Sequence, residues 1–407
     1  MPKVWIKKLF EEPEIHLLRI DDDKIKFFEA IWDIPEGITY NAYIMKIKDN
    51  IVLFDTWKDT YSREFLDAIK SIVNPEDITH IVVHHTEPDH SGALPVLLEA
   101  NKKKAQIICS SLAKKLLDAF YGIRENIKTV EDGEEIELGN NRLKFIYVPW
   151  LHWPDTIITY LPDKGIIFGC DVGGGYSIPD NIDDANEANI EKYLKHVTKY
   201  IVTVIGHYKK YIPENFEKLE GMGVLNNLKA ILPGHGLIWM KEPMKLLEHY
   251  AKVAKGDPQK EKALVIYDSM YGFVEKGITI AIDELKKSGT KPLVYGFTDT
   301  NSPALSEILK EIPDSKFIIF GFSTYEASLH PIAKYLIYEI LDKANYEKPV
   351  LALGNFGWAG ALKRELQKLL KDSDLKLVDI IEINGKTKEE DELKIREGIK
   401  KLIQQFS

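Results

Sequence analysis

Cysteine is nearly absent from this 407-residue chain. Cys109 and Cys170 are the only two, and neither belongs to a CxxC pair. That excludes a rubredoxin-type or iron–sulfur module within the chain, because such centres need several thiolates at close spacing. No apolar run approaches the length of a membrane span. The stretch from Met1 to Lys8 lacks the apolar core of a secretion signal. The expectation is a cytoplasmic protein with no membrane partner. An excess of positive charge is missing too. The formal net charge is −9, and lysine runs such as Lys102-Lys103-Lys104 are short, so no nucleic-acid surface is expected. What remains is ample material for burial. Hydrophobic residues make up 44% of the chain, enough for the cores of two or three domains. Cys170 adjoins Asp171, which makes a redox role conceivable, but a small buried side chain is the simpler reading.

Against that background, His85-Thr86-Glu87-Pro88-Asp89-His90 stands out. Two imidazoles and two carboxylates fall within six residues, directly after the strand-like run Thr79-His80-Ile81-Val82-Val83. Such a cluster is costly to bury unless something neutralises it, and a pair of metal ions is the simplest neutraliser. Histidine and carboxylate ligands suit zinc or iron, and a carboxylate-rich set without thiolate leans toward the harder iron.

Three further residues hold similar positions. His152 follows the apolar run Leu143 to Val148, Asp171 follows Gly165 to Gly169, and His235 follows Lys229 to Pro233. If those strands pack in parallel or as two facing sheets, their ends gather at one edge. Asp171 suits a bridge between two metals, since one carboxylate has two oxygens. A lone histidine after a strand is usually an ordinary loop residue, and only the company of the first cluster lends weight to His152 and His235. His16, His80, His84, His196, His207, His249 and His330 receive the ordinary reading, with His84 turned to the opposite face by strand alternation.

HxHxDH after a strand is the signature of the metallo-β-lactamase fold, and this chain has Glu87 where that signature has its second histidine. His85 to Gly92 as HxExDHSG, Leu151-His152-Trp153-Pro154-Asp155, Asp171, and Pro233-Gly234-His235-Gly236 together resemble the flavodiiron proteins, or A-type flavoproteins. Gly37-Ile38-Thr39-Tyr40-Asn41-Ala42-Tyr43 is similar to another segment of that family. The resemblance implies an αββα metallo-β-lactamase-like sandwich over residues 1–252. It implies two iron ions: His85, Glu87 and His152 on one, Asp89, His90 and His235 on the other, with Asp171 bridging. No catalytic residue beyond these ligands is expected.

Composition shifts between His249 and Lys262, which reads as a linker after a helix end. Beyond it, strand-like runs (263–267, 292–297, 316–320, 349–353, 375–383) alternate with helical ones (274–287, 303–311, 329–343, 359–371, 388–405). Ser302 before Pro303 reads as an N-cap followed by proline at the first helical position. The alternation predicts an α/β, doubly wound parallel sheet over residues 260–407. Ligands of such sheets bind at the strands' C-terminal ends. Three loops are placed there: Ser269-Met270-Tyr271-Gly272-Phe273-Val274, Ser323-Thr324-Tyr325, and Asn355-Phe356-Gly357-Trp358. These are similar to flavodoxin and to the FMN site of flavodiiron proteins.

The chain departs from the family at three places. Phe273 and Val274 stand where the first flavin loop commonly carries Asn and Thr, which removes two phosphate donors and predicts weaker FMN binding. Phe27-Phe28-Glu29-Ala30 occupies the approximate place of the family's Phe-His-Gly-Tyr. Gly173-Gly174-Gly175-Tyr176 replaces the usual Phe-Gly-x-His after Asp171.

The implied activity is reduction of dioxygen to water, with nitric oxide reduction as the close variant. The donor would come from outside the chain, as rubredoxin or a reduced deazaflavin coenzyme. The implied assembly is a head-to-tail homodimer or a dimer of dimers, each flavin approaching the partner's irons. A metal-dependent hydrolase of the metallo-β-lactamase type is the competing class, disfavoured by Glu87 and by the second domain. A member that only senses or scaffolds is the third.

Overall fold

Alternating apolar residues in the first half of the chain demand two layers to cover them. In the computed structural model, which describes residues 2–405, they form two sheets around one core. The seven-stranded sheet runs, in spatial order, Lys3–Glu11, Glu14–Asp22, Ile38–Ile47, Asn50–Phe54, His80–Val82, Gln106–Cys109 and Ile127–Thr129. Neighbours are antiparallel as far as Asn50–Phe54 and parallel beyond it. Parallel strands need crossovers, and the helices Ser62–Lys70, Leu94–Ala100 and Ser111–Tyr121 lie in those connections. The last is set by its ends. The Ser110 hydroxyl accepts from the Ala113 amide at its start, and Gly122 turns left-handed at its end.

The five-stranded sheet runs Glu135–Leu138, Asn141–Tyr147, Ile157–Leu161, Ile166–Cys170 and Ala230–Pro233. Asn141–Tyr147 and Ile166–Cys170 are each antiparallel to Ile157–Leu161, so they point the same way, and Ala230–Pro233 is parallel to the latter. Three C-terminal strand ends therefore gather at one edge of this sheet. Ile15, Leu17, Met45, Phe54 and Val82 of one sheet share a core with Phe145, Ile157, Phe168 and Leu232 of the other. Phe54 and Phe168 stack across that core with ring centroids 3.8 Å apart.

The second unit begins at Lys252. Five of its strands lie in the order Lys291–Phe297, Lys262–Asp268, Phe317–Tyr325, Lys348–Phe356 and Leu375–Asn384, all parallel, and the two-residue strand Ser328–Leu329 pairs antiparallel with Phe317–Tyr325. The strand order reverses between Lys262–Asp268 and Phe317–Tyr325, and such a switch point opens a ligand crevice beyond the strand ends.

Several boundaries differ from those expected. The stretch read as linker is helical through Lys255, in the helix Pro243–Lys255, which Gly256 ends at φ +73°. Ser302 caps nothing. A turn held by the Asn301 side-chain amide on the Gly296 carbonyl keeps Ser302 and Pro303 outside the helix Leu305–Leu309, whose first turn follows Ala304. Two of the three loops expected to hold a flavin are partly strand. Phe322 pairs with Gly354 and Ser323 with Asn355, because the backbone ladder continues past the last core-facing side chain.

Replacing Phe168 with alanine removes one ring of the inter-sheet stack. The expected cost is about 3–5 kcal/mol, read as a shift in the denaturant transition of the first unit, with the second unit's transition unmoved.

Candidate metal centre and flavin cleft

The chain leaves His80–Val82 extended. The Val83 amide bonds the Ile108 carbonyl, and the His84 amide bonds Asp55 Oδ1 at 2.9 Å. The His84 ring is held by Asp55 Oδ2 at 2.6 Å and the Thr159 hydroxyl at 2.8 Å, away from the donor cluster. Pro88 then starts the short helical turn Pro88–Ser91, which turns Asp89 and His90 inward. The Ser91 hydroxyl bonds the Thr86 and Glu87 carbonyls and the Tyr121 hydroxyl. Gly92 has to be glycine, since a Cβ there would lie 2.4 Å from the Pro88 carbonyl oxygen and 2.6 Å from the Asp59 nitrogen.

Seven side chains from four strand ends come together, with Asp171 at their centre. Its Oδ2 lies 2.8 Å from His85 Nε2 and 3.4 Å from His152 Nε2. Glu87 Oε2 is 2.8 Å from His152 Nε2 and 3.5 Å from His85 Nε2. Asp171 Oδ1 lies 3.0 Å from His90 Nε2 and 3.4 Å from His235 Nε2. Asp89 Oδ2 is 3.4 Å from His235 Nε2 and 3.7 Å from His90 Nε2. Two groups of donors thus form, His85-Glu87-His152-Asp171 and Asp89-His90-His235, each with its donor atoms mutually within 4.8 Å. Cys170 completes a further grouping with His85, His90 and Asp171. Its thiol, pushed up well above the usual range by burial and then by Asp55, stays protonated without a metal.

The donors fit metal ions better than they fit one another. His85 Nε2, both Asp89 oxygens and Asp171 Oδ2 are buried without an aligned hydrogen bond, although neighbours stand close. Buried polar atoms nearly always have partners. Several that converge while missing mutual alignment are aimed at a common point. Imidazole and carboxylate suit borderline and hard divalent cations.

Electrostatics agree. Burial opposes the charge on His85, Glu87, His152, Asp171 and His235, and the opposed charges overcome it. Glu87 and Asp171 raise His152 to about 9. Asp171 and Asp89 raise His235 to about 10. Asp171 is held well below the carboxylate range, against its burial, by His90 and His85.

Several supporting residues escaped the sequence reading. The Thr39 carbonyl faces His235 Nδ1 at 2.7 Å. The Thr39 hydroxyl accepts from the Gly236 amide at 2.7 Å, and Asn41 and Tyr43 donate to the Pro233 carbonyl. That is the physical content of the segment Gly37 to Tyr43: one strand pins the loop carrying His235. Gly236, at φ +77°, leaves no room for a Cβ, which would lie 1.8 Å from the Tyr193 hydroxyl. Tyr200 donates to Asp171 Oδ1 at 2.7 Å. Burial and then the Asp171 charge push its phenol well above the usual range, so it keeps its proton. Phe28 and Tyr40 pack edge-on against His235 at 6.2 and 5.6 Å, and Tyr176 against Phe28 and Tyr200. The two segments that depart from the family thus form an aromatic wall beside the donors. Phe28 lies in a pattern the sequence marked only as a missing histidine.

In the second unit, a cleft of about 400 Å³ opens at the switch point. Ser269, Met270, Tyr271, Phe273, Val274, Ser323, Thr324, Tyr325, Asn355, Phe356, Gly357 and Trp358 line it, joined by Glu326 and Gly385. Gly272 does not line it. At φ +80° it caps the helix Phe273–Lys287, and its amide bonds the Ser269 hydroxyl at 3.1 Å. Tyr271 and Trp358 stand 82% and 80% exposed at the cleft, an arrangement that suits stacking on a flat ring. The helix start offers free amides to a phosphate. Asp268 ties two of the loops together, accepting from the Ser323 amide at 2.9 Å. Burial, opposed by Ser323, pushes its carboxyl up to about 6. The third loop is held by Asn355 on the Gly385 carbonyl and Asn384 on that of Gly357. These residues fit a flavin mononucleotide.

Comparison with known proteins agrees with both halves. The profile of the ODP family beta lactamases matches residues 38–236, and that of flavodoxin matches residues 265–398. A mutant of the flavo di-iron protein from Thermotoga maritima is 54% identical, with both chains covered in full and a TM-score of 0.95. The nitric oxide reductase of Moorella thermoacetica is 29% identical, over 88% of each chain. The rubredoxin-oxygen oxidoreductase of Megalodesulfovibrio gigas is 28% identical, over 87% of each.

With His152 and His235 at about 9 and 10, both rings are protonated at neutral pH without metal, whereas ligation requires them neutral. Loading a divalent ion at about pH 7.5 should therefore release about two or more protons per chain, measurable by calorimetry in buffers of differing ionisation heat. Raised histidines stabilise the metal-free fold fully below about 6.5, and that contribution should disappear as pH climbs through 9 and 10. Metal-loaded protein should show no such loss in the same pH range.

Proposed function

This chain belongs to the flavodiiron family, and we propose that it reduces dioxygen to water at a two-iron site fed through FMN. It is an oxidoreductase. The observation that carries the reading is Asp171, whose two oxygens face two separate groups of donors. We assign His85, Glu87 and His152 to one iron, Asp89, His90 and His235 to the other, and Asp171 to both. We assign residues 1–252 to the iron domain and 260–407 to the FMN domain, with the flavin held by the loops beginning at Ser269, Ser323 and Asn355. When bound, the irons and the flavin supply two electrons each, the four that turn dioxygen and four protons into two waters.

The chain's own residues prepare the site. Tyr200 holds the bridging carboxylate by its hydroxyl. Phe28, Tyr40 and Tyr176, all buried, exclude water beside His235 and so strengthen every charge interaction there. In the FMN domain, phosphate binding falls to backbone amides and Ser269, since Phe273 and Val274 offer no side-chain donor.

The chain has no CxxC of its own, so the electron donor is external. A rubredoxin is supported by the relative named for it, and a reduced deazaflavin coenzyme by the coenzyme F420H(2) oxidases among the relatives. Nitric oxide is the second substrate to test, favoured by the Moorella thermoacetica relative. We further propose a cytoplasmic, head-to-tail homodimer, alone or paired into a dimer of dimers, in which each flavin serves the partner's irons.

Purified protein should contain FMN and about two irons per chain, and with a reduced donor it should consume oxygen without accumulating peroxide. Zinc without flavin, together with hydrolase activity, would overturn the reading. Nitric oxide consumption faster than oxygen consumption would shift it to the second substrate. The dimer is tested by mixing Asp171→Asn with a variant lacking the flavin loop. Transfer between subunits predicts that verified heterodimers regain activity from two inactive parents. Heterodimers that stay inactive refute it.

A further inference from the structure

Outside the proposed ligands, one buried carboxylate touches both loops that supply the first iron. Asp155 stands three residues after His152 and is 1% exposed. Its Oδ2 accepts from the Thr86 amide at 2.9 Å and the Thr86 hydroxyl at 2.7 Å. Thr86 lies between His85 and Glu87, so one side chain ties the loop of His152 to the loop of the other two donors. Its Oδ1 stands 3.9 Å from His85 Nδ1, just beyond hydrogen-bond distance, and both atoms are buried without a hydrogen-bond partner. From behind, the Ser110 hydroxyl donates to the Asp155 carbonyl at 2.9 Å, which fixes the backbone.

We propose that Asp155 is a positioning residue that keeps the proton of metal-bound His85 on Nδ1, and so turns the Nε2 lone pair to the metal. The inference rests on the two-iron reading above. A carboxylate oxygen is the nearest acceptor to this buried ring nitrogen and favours an N–H there, which leaves the opposite nitrogen free to ligate. His85 Nε2 is the atom that faces Asp171 and Glu87. On the other iron the equivalent service comes from main chain, with the Thr39 carbonyl facing His235 Nδ1. His85 is thus backed by a side chain that substitution can reverse, and His235 by main chain.

Asparagine is the discriminating replacement. The Thr86 amide can only donate, so the oxygen of the new side chain must stay on Thr86. Its NH2 is then left facing His85 Nδ1. A donor there favours Nδ1 as an acceptor, which shifts the histidine proton to Nε2, toward the metal. The tie between the loops survives while the tautomer is inverted. Alanine instead removes the tie and the acceptor together.

The test is titration of the chelator-treated, full-length chain with Co²⁺. Wild type should bind two equivalents tightly. Asp155→Asn should bind one as wild type does and the second about 10–100-fold more weakly, while its metal-free denaturation midpoint stays at the wild-type value. Asp155→Ala should lower that midpoint. Two tight equivalents in Asp155→Asn would overturn the inference. So would equal weakening of both sites together with a midpoint as low as that of alanine, which marks a tie and nothing more. Zinc-loaded wild type gives a readout that needs no variant: ¹⁵N-histidine NMR should show His85 with its proton on Nδ1, and a proton on Nε2 would refute the proposal. If wild type itself binds no pair of metals, the two-iron reading fails instead.

Discussion

Everything in the first unit is arranged around an electrostatic debt: seven ionisable side chains brought together, six of them buried and Glu87 nearly so. Opposed charges cover part of it, as the raised histidines and the depressed Asp171 show. The rest is left as buried donor atoms without aligned partners. Such an arrangement persists only if the surrounding scaffold overdetermines it. The two sheets do so by packing Phe54 on Phe168 beneath the cluster, and by presenting donors from strand ends rather than from free loops.

The second unit meets a different demand with the same device. Its ligand crevice also forms where strands end, and an aspartate again joins two functional loops through a backbone amide. Asp155 reaches Thr86 in one case, and Asp268 reaches Ser323 in the other. A carboxylate suits this task because it can accept at two points and can bond an amide that has left the ladder. Both aspartates are buried, which keeps the bonds strong and the loops in register.

Much of this was legible in the sequence, for reasons that can be stated. The donor residues carry unusual chemistry and sit where apolar runs stop, so the positions His85 to His90, His152, Asp171 and His235 marked themselves. The alternation after Lys262 gave the parallel sheet. Less legible were features made by contact across long separations. Tyr200, the Thr39 carbonyl and Phe28 have no local signature, because a tyrosine or a backbone carbonyl looks the same wherever it points. Boundaries failed where backbone bonds outrun side-chain pattern, as in Phe317–Tyr325. They failed again where a turn overrode a good local cap, as at Ser302.

The pairing of His90 with His235 spans 145 residues. At the pace of synthesis, about 5–20 residues per second, the early histidines emerge roughly 7–30 s before the last one. Until residue 171 emerges, the nascent chain displays His85, Glu87, Asp89 and His90 without Asp171, whose two oxygens face the two groups of donors. The full set of seven donors exists only once residue 235 has emerged, so the centre is completed late in the synthesis of the first unit.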